Sequence, residues 1–182
     1  MRIKIPSREE MSEAQRRVVD DAVAGKRGTA PPPLLAWLAS PELAQRAQKL
    51  GEFVRFDTSL EPKLSELAIL VTARHWTAQY EWFAHKRIAL KAGIAAEVID
   101  AIARRAEPKL DEPKARAVYA FSKAMHETHH VPPALYAEAT RQLGNRGVVE
   151  LVGMLGYYTL ISMTLNAFEI GLPEGERPEL ES

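Results

Sequence analysis

The chain has 182 residues, which suits one domain with a sizeable core, and no linker-like segment divides it. Its 24 basic and 24 acidic residues balance, so there is no broad positive surface to hold nucleic acid. It has no cysteine, which excludes disulfides, thiolate metal sites and thiol nucleophiles. The N-terminal residues lack an apolar core of signal-peptide length, so we expect a cytoplasmic protein. We therefore predict a single domain over residues 1–182.

Helix signals follow one another through the first third of the chain. Ser12 with Gln15 predicts a capping box and a first helix. The prolines of residues 31–33 predict a loop, which either covers a site or connects two helices. Ser40 and Pro41 predict the start of the next helix. Its inward positions are predicted to be Leu43, Ala47, Leu50 and Val54.

The central stretch predicts a buried helix that contains an acid. Residues 64–73 are almost all apolar, which is typical of a helix enclosed on every side. Glu66 lies inside that run, and a carboxylate there needs a hydrogen-bonding partner or a proton. Glu66 could tie two helices together, or it could belong to a functional site, because perturbed acids mark both.

A second helix follows, with Thr77 as its predicted N-cap and Gly93 as its predicted end. Glu81 and His85 are four residues apart and therefore share one face of this helix, beside the indole of Trp82. This face is a plausible wall of a site. Glu81 and His85 could also bind a metal, with Glu66 or His75 completing the ligand set.

The remaining elements are also helical, so the predicted fold class is all-α. Helices are expected over about 95–103 and 115–129, where His126, His129 and His130 are interpreted as C-terminal capping residues. Prolines open another helix that stops at Gly144, and a long apolar helix runs from about 147 to 168. That helix is long enough to span a membrane, but its acid, amide and glycines favour a buried helix. Close packing through Gly153 and Gly156, within one subunit or between subunits, is expected. Of the two adjacent phenols in this helix, Tyr157 and Tyr158, one could reach the site.

Glu66 and His85 are 19 residues apart, with Tyr80, Glu81 and Trp82 between them. This pattern resembles the carboxymuconolactone decarboxylase family, which is akin to the alkylhydroperoxidase D-like proteins. The resemblance covers most of the chain. It implies an all-α helical bundle and an obligate homo-oligomer. A trimer or a hexamer is favoured by the family, and a dimer fits the residues as well.

The resemblance also bears on the chemistry. In the peroxidase branch of the family a Cys-x-x-Cys pair precedes the histidine, and those positions are Ala78 and Glu81 in this chain. Thiol peroxidase activity is therefore not expected. In the decarboxylase branch the substrate is a small carboxylated lactone, and no cofactor or metal is needed. The resemblance implies a possible cofactor-free carboxy-lyase. The first alternative is a non-catalytic oligomer that binds a small molecule or serves as a scaffold. A less favoured alternative is a metal-dependent enzyme.

If this chain has the decarboxylase function that the resemblance implies, each candidate site residue has a role. His85 would be the proton donor or relay, Glu66 would set its protonation and orientation, and Glu81 would be a second acid. The substrate carboxylate would be received by Arg74 or His75. The remaining residues that would shape the pocket are Tyr80 and Trp82.

Overall fold

A computed structural model describes residues 1–181 of the chain. Over this range the structure consists of eight α-helices and one short 3-10 turn, with no strand, which confirms the all-α prediction. The helices are α1 (Glu13–Ala24), α2 (Pro32–Ala36), α3 (Pro41–Phe56), α4 (Pro62–His75), α5 (Gln79–Lys91), α6 (Ala96–Ala103), α7 (Pro113–Thr128) and α8 (Pro133–Ala167), and the 3-10 turn is Trp37–Ala39.

Helix α4 is the centre of the bundle. It begins with Pro62 at its first position, where the missing backbone N–H costs nothing, and residues 64–74 are all buried. It packs against α5, α7 and α8, so no side of it faces water. Full burial of a leucine or isoleucine stabilises the fold by about 1.5–3 kcal/mol. The continuous apolar run of this segment therefore places α4, and Glu66 with it, in the interior.

Helix α8 is also a core helix, although its length and hydropathy would allow a membrane span. Among the residues the structure describes, Pro133–Ala167 is the one helix that is long and apolar enough for this. Its backbone leaves the helical conformation at Gly144, where φ is 70° and ψ is 169°, so it consists of two segments. The second segment packs Leu151, Met154 and Leu155 into the core. This burial agrees with the prediction of a buried helix.

The inward face of α3 differs from the prediction. Leu43 and Leu50 are 47% and 48% exposed, so their predicted burial is wrong. The buried positions are the smaller residues Ala44, Ala47, Gly51 and Val54. A Cβ atom at Gly51 would lie 2.1 Å from the hydroxyl oxygen of Tyr157, so α3 approaches α8 too closely for a larger side chain there. Steric fit decided the orientation of α3, because both of its faces carry apolar residues.

Gly153 and Gly156 face outward on α8. A Cβ atom at either position would have no neighbour within 4 Å, so the predicted close packing within one subunit is wrong. Gly156 lines a hollow between α7 and α8, whereas Gly153 and Val149 of α8 lie beside Leu50 and Phe53 of α3. We call this second surface the α3/α8 face. Its members are Leu50, Phe53, Val149 and Gly153.

Several local contacts differ from the expected ones. Ala78, not Thr77, is the N-cap of α5. Thr77 has a positive φ of 48°, and its hydroxyl accepts a hydrogen bond from Arg74 at 2.9 Å. The prolines of 31–33 begin α2 and connect helices, because Pro31 is its N-cap. Glu150 is buried and accepts hydrogen bonds of 2.6 Å from the backbone N–H and the hydroxyl of Ser59, in the loop between α3 and α4.

Candidate active site

Helices α4 and α5 form a hairpin that brings three ionisable side chains together. Glu66 lies in the second turn of α4, and Glu81 and His85 are one turn apart on α5. His85 Nδ1 is 2.7 Å from Glu66 Oε2, and His85 Nε2 is 3.0 Å from Glu81 Oε1. The three residues are each no more than 5% exposed. We call this group the His85 centre.

The two carboxylates determine the protonation of His85. Burial alone lowers the pKa of an imidazole, because it disfavours the charged form. At His85 the charges of Glu81 and Glu66 outweigh burial and raise the pKa from 6.5 to about 9. His85 is therefore an imidazolium at pH 7, and each of its ring nitrogens donates a hydrogen bond to a different carboxylate. The His85 centre therefore holds a proton in a site that is buried from solvent.

Tyr158 of α8 completes the centre on one side. Its ring lies edge-on to the His85 ring, with 5.1 Å between the ring centroids and 84° between the planes. Tyr157 meets Tyr158 in the same way at 5.4 Å. The hydroxyl of Tyr158 is buried and has no hydrogen-bond partner among residues 1–181. Burial raises the pKa of Tyr158 well above its usual value, so the phenol stays protonated and is an unused donor beside His85.

Comparison with known proteins found one matching family model and several solved structures of similar fold. Residues 41–124, which run from α3 into α7 and include the His85 centre, match the model of the carboxymuconolactone decarboxylase family. The fold is similar to that of an alkylhydroperoxidase AhpD core protein from Ralstonia eutropha JMP134, with a TM-score of 0.76. The match covers 95% of this chain and 92% of that one, at 15% sequence identity. Residues 41–124 are thus similar to the carboxymuconolactone decarboxylase family, and the chain has the fold of the alkylhydroperoxidase D-like proteins.

Other solved proteins have a similar fold. An uncharacterised peroxidase-related protein from Silicibacter sp. TM1040 superposes with a TM-score of 0.73 at 14% identity, over 92% of this chain and 89% of its own. The debrominase Bmp8 in complex with 2,3,4-tribromopyrrole superposes with a TM-score of 0.72 at 15% identity, over 93% of this chain and 90% of its own. No curated protein matches the sequence. At these identities the similarity establishes the fold, and the reaction must be inferred from this chain's own residues.

Arg74 lies away from the His85 centre and is occupied by structural contacts. Its Nε donates to the carbonyl of Ala103 at 2.7 Å, at the end of α6. Its two terminal nitrogens donate to Thr77 Oγ1 and to the carbonyl of Glu181, each at 2.9 Å. The guanidinium therefore joins α4 to α6 and to the C-terminal segment, and it has few donors left for a substrate.

His75 likewise faces a different part of the molecule. Its ring stacks on that of His126 of α7, with 4.8 Å between centroids and 20° between planes. His126 is buried, and its Nε2 lies 2.8 Å from the hydroxyl oxygen of Thr72. His126 is therefore not a capping residue, and that interpretation is wrong. His129, which has a positive φ of 58°, occupies the C-cap of α7.

Tyr80 and Trp82 lie on the outer side of the His85 centre. Tyr80 is half-buried and lines a groove of about 660 Å³ at the start of α5. The opposite wall of this groove is formed by the end of α8 and the residues that follow it. Trp82 is 1% exposed, and its Nε1 donates to Glu179 at 3.3 Å. Tyr80 is thus the predicted site residue with access to solvent next to Glu81.

The geometry offers little to a metal ion. No three His, Asp or Glu side chains within residues 1–181 are arranged to hold one. In the His85 centre each imidazole nitrogen meets a carboxylate, so no ring lone pair is free to join Glu66 and Glu81 around a common ion. Sequence reasoning found all three members of the centre. It left open which of Tyr157 and Tyr158 reaches the site.

Proposed function

We propose that this protein is a cofactor-free carboxy-lyase that acts in the cytoplasm on a small carboxylated lactone or a related product of aromatic breakdown. The observation that supports this activity is the buried imidazolium of His85, held between Glu66 and Glu81. Such a group stores a proton at neutral pH in a site that excludes water, which is what protonation of a carbanion requires.

The proposed reaction needs one proton and no external oxidant or reductant. The bond between the ring carbon and the carboxylate breaks, carbon dioxide leaves, and the electron pair becomes conjugated with the lactone carbonyl. The same carbon, or one conjugated with it, then takes a proton from the site, and solvent returns that proton to the enzyme. The phenol of Tyr158 is an unused donor that could stabilise the oxyanion.

The contacts of His85 suggest the order in which the proton moves. Its Nε2 proton points to Glu81, which lies in the first turn of α5 and follows Tyr80 of the groove. We assign Glu81 as the residue that passes the proton to substrate, and His85 as the relay that recharges it. Glu66 holds the imidazolium in place from the other side. Tyr80 and Trp82 shape the pocket, whereas Arg74 and His75 have no part in this assignment.

The test is carbon dioxide release from a carboxylated muconolactone in D₂O, with deuterium incorporation measured in the product. Glu81→Gln and His85→Gln should each lower turnover by about 10²–10⁴-fold, the usual contribution of general acid catalysis. Glu97→Gln, which changes an exposed acid on α6, is the matched control and should retain full activity. Full turnover by either site variant would contradict the assignment.

A second candidate function is a non-catalytic binding or scaffold protein. It is favoured by the burial of all three members of the His85 centre, which would equally suit a tie between α4 and α5. In this case native mass spectrometry should show a retained small acid, and the same assay should release no carbon dioxide. Release of carbon dioxide that depends on His85 would eliminate this candidate.

We also propose that the α3/α8 face joins copies of this chain, with a trimer or hexamer favoured and a dimer as the alternative. The face contains an apolar groove of about 500 Å³ lined by Leu50, Phe53, Val149 and Gly153. Val149 is 70% exposed, and a contiguous exposed apolar surface of this kind is typical of an interaction site. Val149→Asp should therefore dissociate the oligomer in native mass spectrometry. Val23→Asp, a change at another exposed valine, should not, and a monomeric wild-type protein would contradict the proposal.

A further inference from the structure

The groove beside Tyr80 has no partner of its own for a carboxylate. Within residues 1–181 its lining contains two acids, Glu169 and Glu176, and no lysine, arginine or histidine. A carboxylate inside the groove would be repelled by both acids. The residues predicted to receive a carboxylate, Arg74 and His75, are not in its lining. An acidic substrate in this groove therefore needs a cation at the edge of the groove.

Helix α5 directs two hydrogen-bond donors at one carboxylate of the chain itself. The indole Nε1–H of Trp82 donates to Glu179 Oε2 at 3.3 Å, and the ammonium of Lys86 pairs with the same oxygen. Trp82 and Lys86 are four residues apart, so both lie on one face of α5. Trp82 is 1% exposed, so the core holds its donor in place. We call these two side chains the Trp82–Lys86 pair.

This pair adjoins both the groove and the proposed proton donor. Its members directly follow Glu81 and His85 in the sequence, so the two sets of side chains occupy adjacent strips on the same turns of α5. Gln79 lines the groove, and its Oε1 accepts a hydrogen bond from the backbone N–H of Glu179 at 3.1 Å. The position that the Glu179 carboxylate occupies is therefore next to the groove and next to Glu81.

The side chain of Glu179 can leave this position at little cost. It is 43% exposed, and that of Lys86 is 30% exposed, so water screens their ion pair. The backbone here is held without the carboxylate, because Gln79 donates to the carbonyl of Leu180 at 2.7 Å and accepts from its N–H at 3.2 Å. Leu180 itself is 5% exposed. An incoming carboxylate can thus displace the Glu179 side chain into water while the C-terminal segment stays bound.

The chemistry of the proposed substrate determines which of its acids suits such a subsite. A carboxylated muconolactone has two carboxylates, and one of them leaves as carbon dioxide. An ion pair with the leaving group would stabilise the ground state more than the transition state, because the negative charge moves into the ring. The carboxylate that stays on the product keeps its charge, so a fixed cation can orient the substrate through it without this penalty.

We propose that the Trp82–Lys86 pair receives the carboxylate that stays on the product, and that Glu179 occupies this subsite until substrate binds. The ring lies in the groove beside Tyr80, and the carboxylate accepts hydrogen bonds from the indole N–H and the ammonium. This inference rests on the proposed lyase function, since it names the residues that orient the substrate toward Glu81.

The test measures binding of muconolactone, which has this carboxylate and no second one to lose. The chain has three tryptophans, so their indole N–H signals in ¹⁵N NMR can be assigned by Trp→Phe variants. The Trp82 signal should shift in a saturable manner, because its N–H exchanges Glu179 for the ligand. The Trp37 signal should stay, because that N–H donates to Thr164 inside the core at 2.8 Å. The methyl ester of muconolactone, which lacks the charge, should bind about fivefold more weakly or worse.

The decisive comparison is between the two members of one ion pair. Lys86→Gln should weaken muconolactone binding about fivefold to tenfold, because the subsite loses its cation. Glu179→Gln should tighten binding about twofold to fivefold, because the competing carboxylate is gone. An ion pair with a purely structural role would give changes in the same direction. Lys91→Gln and Glu174→Gln remove one exposed charge each from α5 and from the C-terminal segment, and they should leave binding unchanged.

The outcomes separate this subsite from the lyase activity. Carbon dioxide release with an unchanged KM in Lys86→Gln would overturn the subsite and leave the lyase proposal standing. Opposite shifts of muconolactone affinity in the two variants, without any carbon dioxide release from the carboxylated compound, would support the subsite and contradict the lyase. Shifts in the same direction, equal binding of the methyl ester, or no binding of muconolactone would each overturn the subsite.

Discussion

His85 and His126 are both buried against α4, yet their pKa values move in opposite directions. The pKa of His85 rises to about 9, and that of His126 falls to about 4. Burial disfavours the charged form of both rings. What differs is their neighbours. His85 lies between Glu66 and Glu81, whereas His126 faces a hydroxyl and other imidazoles. The neighbouring charges, more than burial, therefore determine that His85 is protonated at pH 7 and that His126 is neutral.

The largest effect on stability is expected when each of the two histidines, His85 and His126, is replaced by leucine. His85→Leu leaves two carboxylates buried without their cation and should lower the free energy of unfolding by about 3–5 kcal/mol. His126→Leu removes a neutral ring, and Thr72 keeps its hydrogen bond to Ala68, so the cost should be about 1 kcal/mol or less. Urea unfolding at pH 7 measures both. If both variants lost the same free energy of unfolding, the inferred difference between the surroundings of His85 and His126 would be wrong.

The pH dependence of stability should separate the two histidines next. The pKa of His85 is raised in the folded state, so its stabilisation is present below pH 6.5 and is lost as the pH rises to about 9. The pKa of His126 is lowered, so the folded state loses stability as the pH falls from 6.5 to about 4. Each change should amount to roughly 3 kcal/mol.

The variants assign these two pH ranges. Unfolding free energies are measured from pH 4 to pH 9, and each variant is subtracted from the wild type. The His85→Leu difference should shrink as the pH rises above 6.5, and the His126→Leu difference should change below pH 6.5. A His126→Leu difference that is independent of pH would mean that His126 titrates normally in the folded protein.

The smallest effect concerns how the His85 centre is supported. Gly51→Ala places a methyl group 2.1 Å from the Tyr157 hydroxyl, and Tyr157 packs on Tyr158, which contacts His85. The substitution should cost about 1–3 kcal/mol by overpacking. In a Tyr157→Leu background it should cost less, because the ring is gone.

The sequence was most informative where short-range spacing determines contacts. The apolar run of 64–73 identifies α4 as the central helix, and Glu81 and His85 meet because residues four apart share a helix face. It was less informative wherever contacts link distant segments. The bond between Thr72 and His126 spans 54 residues, and that between Arg74 and Ala103 spans 29. No local pattern encodes such pairs.

The faces of α3 could not be predicted for a related reason. Leucines at positions 43 and 50 and small residues at 44, 47 and 51 each form a regular stripe on this helix. Hydropathy favours burial of the leucines, whereas the fit against Tyr157 requires a glycine at the contact. The site itself was predictable because ionic partners are specific, and an acid inside an apolar helix has few ways to be satisfied.

The α3/α8 face has a consequence for symmetry. It places large side chains on one helix, Leu50 and Phe53, beside a glycine on the other, Gly153. A surface with protrusions on one half and recesses on the other is complementary to itself when a twofold axis passes through its middle. In a ring of three, the protruding half of each copy would meet the recessed half of the next. The same few residues are thus compatible with a closed pair and with a closed ring, and the rotation between copies selects one of them.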